Sequence, residues 1–235
     1  LQELEARSGR DLADWSAKWL ETAGVNTLRP AFELDASGAY ASFAIEQSAV
    51  AEYPTLRPHR IAIGLYGPDE HGALRRTRRI ELDIDGARTE VTELTGEARP
   101  ALLLLNDEDL SYAKIRFDDE SLATATGRVG DIADPLARSL VWGALWDATR
   151  DAELPASRFV DTVLAHIGRE THSTTLRTVL QQLLLAASSY VAPERRDATL
   201  HRTAEALWRL AQAAEAGADR QFQFLKAFAQ LAAHD

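Results

Sequence analysis

The chain has no cysteine, no methionine, almost no lysine and no long apolar run. Without cysteine there can be no disulfide, no thiolate metal site and no cysteine nucleophile, and sulfur chemistry says nothing about redox compartment. The longest apolar stretches, Ala101–Leu105 and Leu183–Ala187, fall far short of the roughly 18 residues that cross a bilayer. No basic and apolar leader opens the sequence, so a soluble, cytoplasmic protein with no membrane partner is expected. Basic residues are 23 Arg against 3 Lys, outweighed by 36 acidic side chains for a formal net charge of −10. That balance argues against nucleic acid, whose phosphates need clustered cations. The missing methionine includes any initiator, and Leu1–Ala6 reads as helix with no cap ahead of it; both are features expected of a fragment.

What is present is ordinary for a globular chain. The 235 residues, 46% hydrophobic and 26% charged, suffice for one large domain or two ordinary ones. The apolar period changes near Asp118. Before it, Phe32 and Leu34, Phe43 and Ile45, Ile61, Ile63 and Leu65, and Ile80, Leu82 and Ile84 alternate with polar residues, the mark of half-buried strands. Turn chemistry separates them at Asp35–Gly38, Gly67–Gly72, Asp85-Gly86 and Thr95-Gly96. Adding Thr89–Leu94, Ala101–Leu105 and Ala113–Phe117 gives about seven strands, the number expected of an antiparallel two-sheet sandwich.

After Asp118 the steps become three and four. Phe159, Val160, Val163, Leu164 and Ile167 form one apolar face, and Leu176 through Val191 a longer one. Leu200, Ala204, Leu207, Trp208 and Ala211 form a third, and Phe222, Leu225, Phe228, Ala229 and Ala232 a last stripe. Asp134-Pro135, Pro155 and Pro193 read as helix openers, and Gly130, Gly168 and Gly217 as stops. Five or six antiparallel helices with short connectors predict an αα-hairpin array, or the opening of a solenoid. Nothing polar caps such an array at His234-Asp235.

Several clusters invite a chemical reading, and each has a structural alternative. His166, Glu170 and His172 could be metal ligands, but a helical zinc motif needs histidines four apart. Here they are six apart across Gly168, so solvated loop residues are expected. Asn106–Asp109 has the oxygen density of a calcium loop without its spacing, and reads instead as a polar hairpin turn. Arg75, Arg76, Arg78 and Arg79 alternate sides along a strand, with Glu81, Asp83 and Asp85 close behind; an ion-paired exposed strand is expected rather than an anion site. No sequence context pairs a serine with a histidine. Trp15 with Trp19, and Trp142 with Trp146, sit four apart and read as packing. From the residues alone, no catalytic, cofactor-binding or metal residue is assigned.

Three blocks carry a resemblance: Trp15–Leu28 (WSAKWLETAGVNTL), Thr55–Tyr66 (TLRPHRIAIGLY) and Leu103–Phe117 (LLLNDEDLSYAKIRF), with a weaker one at Trp142–Leu154. In these the chain resembles the C-terminal half of the aminopeptidase N family, zinc-dependent exopeptidases of the gluzincin class. That family's HExxH zinc motif does not occur in this sequence. The resemblance implies that residues 1–24 are the last helix of a catalytic domain, 25–117 a β-sandwich, and 118–235 the opening part of a helical domain. It further implies zinc held outside this chain, an upstream catalytic domain as partner, peptide substrates, and a spacer-and-lid role over the substrate chamber. The rival expectation is a non-enzymatic adaptor, with a ligand-binding sandwich and a scaffold of helices.

Overall fold

The computed structural model describes residues 1–232; His234 and Asp235, where the uncapped end of the array was expected, lie outside them, as does the side chain of Ala232. The chain divides into two compact units, Leu1–Leu122 and a second that begins at Ala123.

The first unit opens with two short helices, α1 (Gln2–Ser8) and α2 (Ala13–Leu20), neither of which buries a residue. Seven strands follow: β1 (Thr27–Leu34), β2 (Tyr40–Ser48), β3 (His59–Pro68), β4 (Leu74–Ile84), β5 (Arg88–Glu90), β6 (Leu102–Asp107) and β7 (Lys114–Ile115). They form two sheets, ordered β5-β2-β1-β7 and β4-β3-β6. The expected sandwich is present, with one departure from the antiparallel rule: β7 runs parallel to β1. Two turns repeat one device. Asp35 Oδ1 accepts from the amides of Ser37 and Ala39, and Asp69 Oδ1 from those of His71 and Ala73, while Gly38 and Gly72 supply the positive φ that closes each turn.

Three local expectations need correcting. Thr89–Leu94 is not one strand: β5 stops at Glu90, and Val91 makes one more bond to Phe43 O. Thr92–Leu94 then coils into a 3₁₀ turn that carries Leu94 into the core. Ala113–Phe117 keeps only two strand residues. Asn106–Asp109 is not a hairpin turn, because β6 and β7 belong to different sheets. It is a crossing between sheets, and the left-handed backbone at Asn106, Glu108 and Asp109 makes the sharp exit from β6.

The second unit is helical. α3 (Asp119–Arg128) begins in the first unit, and α4 (Pro135–Arg150), α5 (Ala156–His166), α6 (Ser173–Leu185), α7 (Pro193–Ala213) and α8 (Asp219–Ala232) follow. The openers behave as expected: Asp134 caps α4 through the amides of Leu136 and Ala137, and Pro193 is the first residue of α7. The long face expected through Val191 is interrupted. After α6, Ala186–Tyr190 widens into a π turn closed by Val191 N to Ala186 O at 3.0 Å, and Tyr190 stacks on Trp146 with ring centroids 5.7 Å apart. Trp142 and Trp146 are core residues, as read.

The α7 stripe holds in part, through Leu207 and Ala211, and the α8 stripe lies off the buried face. α7 buries Thr199, Thr203, Leu207 and Ala211, leaving Trp208 44% exposed. α8 buries Phe224, Ala227 and Leu231, while Phe222 is 61% exposed and Leu225 also faces solvent. Both faces of α8 have apolar residues at helical spacing, so periodicity alone could not choose between them. No described helix is long and apolar enough to cross a membrane.

Candidate functional site

A buried polar cluster of the first unit lies where α2 meets the sandwich. α2 ends at Leu20, and its last carbonyls are left without intrahelical donors. Arg57, buried just before β3, meets this end: Nε donates to Lys18 O at 2.9 Å, which also accepts the Thr22 hydroxyl, and beyond the helix Nη2 donates to Thr22 O at 3.1 Å, Thr22 Oγ1 at 2.7 Å and Ala23 O at 2.9 Å. A guanidinium at this end also opposes the negative pole of the helix. It sits 5.5 Å from the centroid of the Trp19 ring, whose indole N–H donates to Pro58 O at 3.2 Å. The same ring meets His59 edge-on at 5.2 Å.

His59 starts β3 and is 3% exposed. Asn26 fixes its tautomer. The Asn26 amide nitrogen donates to Thr55 O at 2.8 Å, and Oδ1 accepts the Arg57 amide at 3.2 Å. Oδ1 therefore accepts from His59 Nε2 at 3.3 Å, and Nδ1 is left to accept the Ser111 hydroxyl at 2.7 Å. Asn106 clamps that serine on both sides, donating to Ser111 O at 2.6 Å and accepting from Ser111 N at 3.0 Å. Burial, with the Arg57 charge adding to it, pushes the imidazole down to about 4.

The row Ser111–His59–Asn26 thus has the order of a nucleophile, a base and an orienting group, a pairing that sequence reading missed. Its chemistry is poor. An imidazole titrating near 4 is a weak base at neutral pH, and it is closed beneath Trp19. The arrangement holds a joint: it ties α2, the start of β3 and the β6–β7 crossing together. All six residues concerned (Trp19, Asn26, Arg57, His59, Asn106 and Ser111) fall inside the three blocks that carry the family resemblance. That coincidence was the available signal, because no local pattern links residues so far apart.

A second cluster explains the rest of the Thr55–Tyr66 block. Tyr66 donates to Asp107 Oδ1 and Arg76 to Oδ2, both at 2.8 Å. Gly64 lies beneath, where a Cβ would overlap the Asp107 carboxylate and approach Tyr66 Cε2 at 2.7 Å. The basic strand is ion-paired, as read: Arg75 with Asp69, Arg76 with Asp107 and Glu108, Arg78 with Glu97, and Arg79 with Glu81 and Glu108. The carboxylates of Asp107 and Glu108 are therefore engaged by arginine and tyrosine rather than open to calcium.

In the helical unit, His166, Glu170 and His172 do not converge. Glu170 was expected in solvent and is 2% exposed instead. Arg138 grips it with two bonds, Nε to Oε2 at 2.8 Å and Nη2 to Oε1 at 3.0 Å. Glu170 also accepts the amides of Thr171 and His172, each at 2.9 Å. Burial alone would raise this carboxyl, yet Arg138 and the two amides hold it below its ordinary value. His166 is half-buried and lowered mainly by burial. Among the described residues no three His, Asp or Glu side chains gather as metal ligands.

The first unit is thus a sandwich joined to α2 by a buried polar cluster, and the second is a helical array. The chain belongs to the ERAP1-like C-terminal domain family, whose model matches residues 102–235. It is also 50% identical over 238 residues to the Aminopeptidase N of Streptomyces lividans, a similarity covering 99% of this chain and 28% of that relative. The chain thus spans well under a third of the relative's length, and the resemblance read from the three blocks is met along nearly all of it.

Proposed function

We propose that this chain is the non-catalytic C-terminal portion of a zinc-dependent aminopeptidase that removes N-terminal residues from peptides. In this reading residues 1–24 complete the catalytic domain, 25–117 form a spacer, and 118–235 form a lid that shapes the substrate chamber. The observation that carries it is the 50% identity, sustained over 99% of the chain, to a protein named Aminopeptidase N. Zinc would be held by residues outside this chain, and the upstream catalytic domain would be its partner within one polypeptide. We take the cytoplasm as its compartment, to be checked by cell fractionation.

The joint supports the spacer role. Trp19 faces the sandwich through Pro58, His59 and Arg57, whereas Trp15, one turn earlier, is 38% exposed and available to an upstream domain. A helix gripped on one side by the sandwich can hold a lid at a set angle, and enclosure excludes water and limits substrate size.

The experiment is to place Arg57→Ala and Trp19→Ala in the complete polypeptide. A loosened spacer should lower kcat/KM on peptides long enough to reach the lid more than on a single aminoacyl anilide. Equal losses on both substrates, or no loss on either, would contradict the spacer role.

A further inference from the structure

The helical unit carries a groove between α6 and α8 whose lining is basic and contains no acid. α6 presents Arg177 and Gln181 to it, four residues apart, and α8 presents Gln223, Lys226 and Gln230 at steps of three and four. Each set is one stripe of its helix, so the two stripes face each other across the groove. Buried Leu180 contributes to the apolar lining, and the space amounts to about 40 Å³.

The chain has a formal net charge of −10, and on β4 every arginine has found a carboxylate. Arg177 and Lys226 make no hydrogen bond or ion pair among the described residues. Gln223 donates to Asp219 Oδ1 at 3.1 Å, which leaves the Gln181 and Gln230 amides as unengaged donors. Two like charges facing one groove repel each other until an anion sits between them. An apolar wall weakens the screening of that attraction by water.

We propose that the α6/α8 groove binds a small, doubly charged oxyanion, a phosphate or a dicarboxylate, with Arg177 and Lys226 supplying the charge and Gln181 and Gln230 the neutral hydrogen bonds. The site stands independently of the aminopeptidase reading, since it uses only residues of this chain and needs no upstream domain.

The test titrates the chain itself with inorganic phosphate and, separately, with succinate at constant ionic strength. Thermal unfolding and the NMR shifts of the Gln181 and Gln230 side-chain amides are followed. A saturable rise in Tm with movement of those amides is expected. Arg177→Gln and Lys226→Gln should each weaken binding about tenfold, the scale of one charge-assisted hydrogen bond, and together should remove it. Both side chains are exposed, so the variants should keep the parent circular dichroism. A response to phosphate alone assigns a phosphate ligand, one to succinate alone a dicarboxylate, and one to both a site that reads charge without shape. No saturable response to either at millimolar concentration, or a response undiminished in the double variant, overturns the proposal.

Discussion

Arg57 lies 5.5 Å from the centre of the Trp19 ring while its guanidinium caps the same helix that carries the tryptophan. One side chain thus fixes both the end and the face of α2. Arg57→Ala would take the guanidinium donor from the carbonyls of Thr22 and Ala23 and leave Lys18 O with the Thr22 hydroxyl, at about 1–3 kcal/mol for each carbonyl that water cannot reach. Urea unfolding of the chain should therefore show a loss of about 3 kcal/mol for Arg57→Ala. Trp15→Ala, on the exposed face, should cost under about 1 kcal/mol. Comparable losses from the two would show that α2 is not held from the Arg57 side.

His59 supplies a pH dependence with a definite sign. Its folded value is about 4, below the ordinary 6.5, so the unfolded chain binds the proton more readily. The stability it contributes is fully present above about pH 6.5 and is lost as pH falls towards 4. Across that window the loss should reach about 3 kcal/mol, and His59→Gln should flatten it. An imidazole that titrates near 6.5 by NMR would show that the ring is not sealed.

The Arg138–Glu170 pair should be costly to break from one side. Glu170→Gln leaves a buried guanidinium without its counter-charge, at about 3–5 kcal/mol. Because the Glu170 carboxyl is lowered in the folded chain, its contribution is present above its unfolded value, about 4.3. It is lost as pH falls through the folded value. Near-UV circular dichroism of Trp142 and Trp146 is the readout, and a variant as stable as the parent would contradict the assignment.

Much of the fold was legible because strands and helices differ in apolar period. Ile61, Ile63 and Leu65 announce β3, and Asp134-Pro135 announces α4, with no help from the rest of the chain. What stayed hidden depends on contacts between distant segments. Ser111 and His59 are neighbours only because β6 pairs with β3. Glu170 looks like a loop residue until Arg138 is brought beside it. On α8, Phe222, Leu225 and Phe228 are spaced as well for a core as Phe224, Ala227 and Leu231; only packing decides.

Gly64 tests the second cluster. Gly64→Ala would drive a methyl group into Asp107 and Tyr66, and overpacking of this kind costs about 1–3 kcal/mol. The loss should shrink when Asp107→Gly is added, as a double-mutant cycle would record; strict additivity would place the strain elsewhere.

The central claim is that this chain serves a zinc aminopeptidase without performing its chemistry. The measurement that tests it most directly is hydrolysis of an aminoacyl anilide by the complete polypeptide and by this chain alone. The complete polypeptide should hydrolyse the anilide and lose that activity to a zinc chelator, while the chain alone should be inert. Hydrolysis by the isolated chain, or none by the complete polypeptide, would contradict the account.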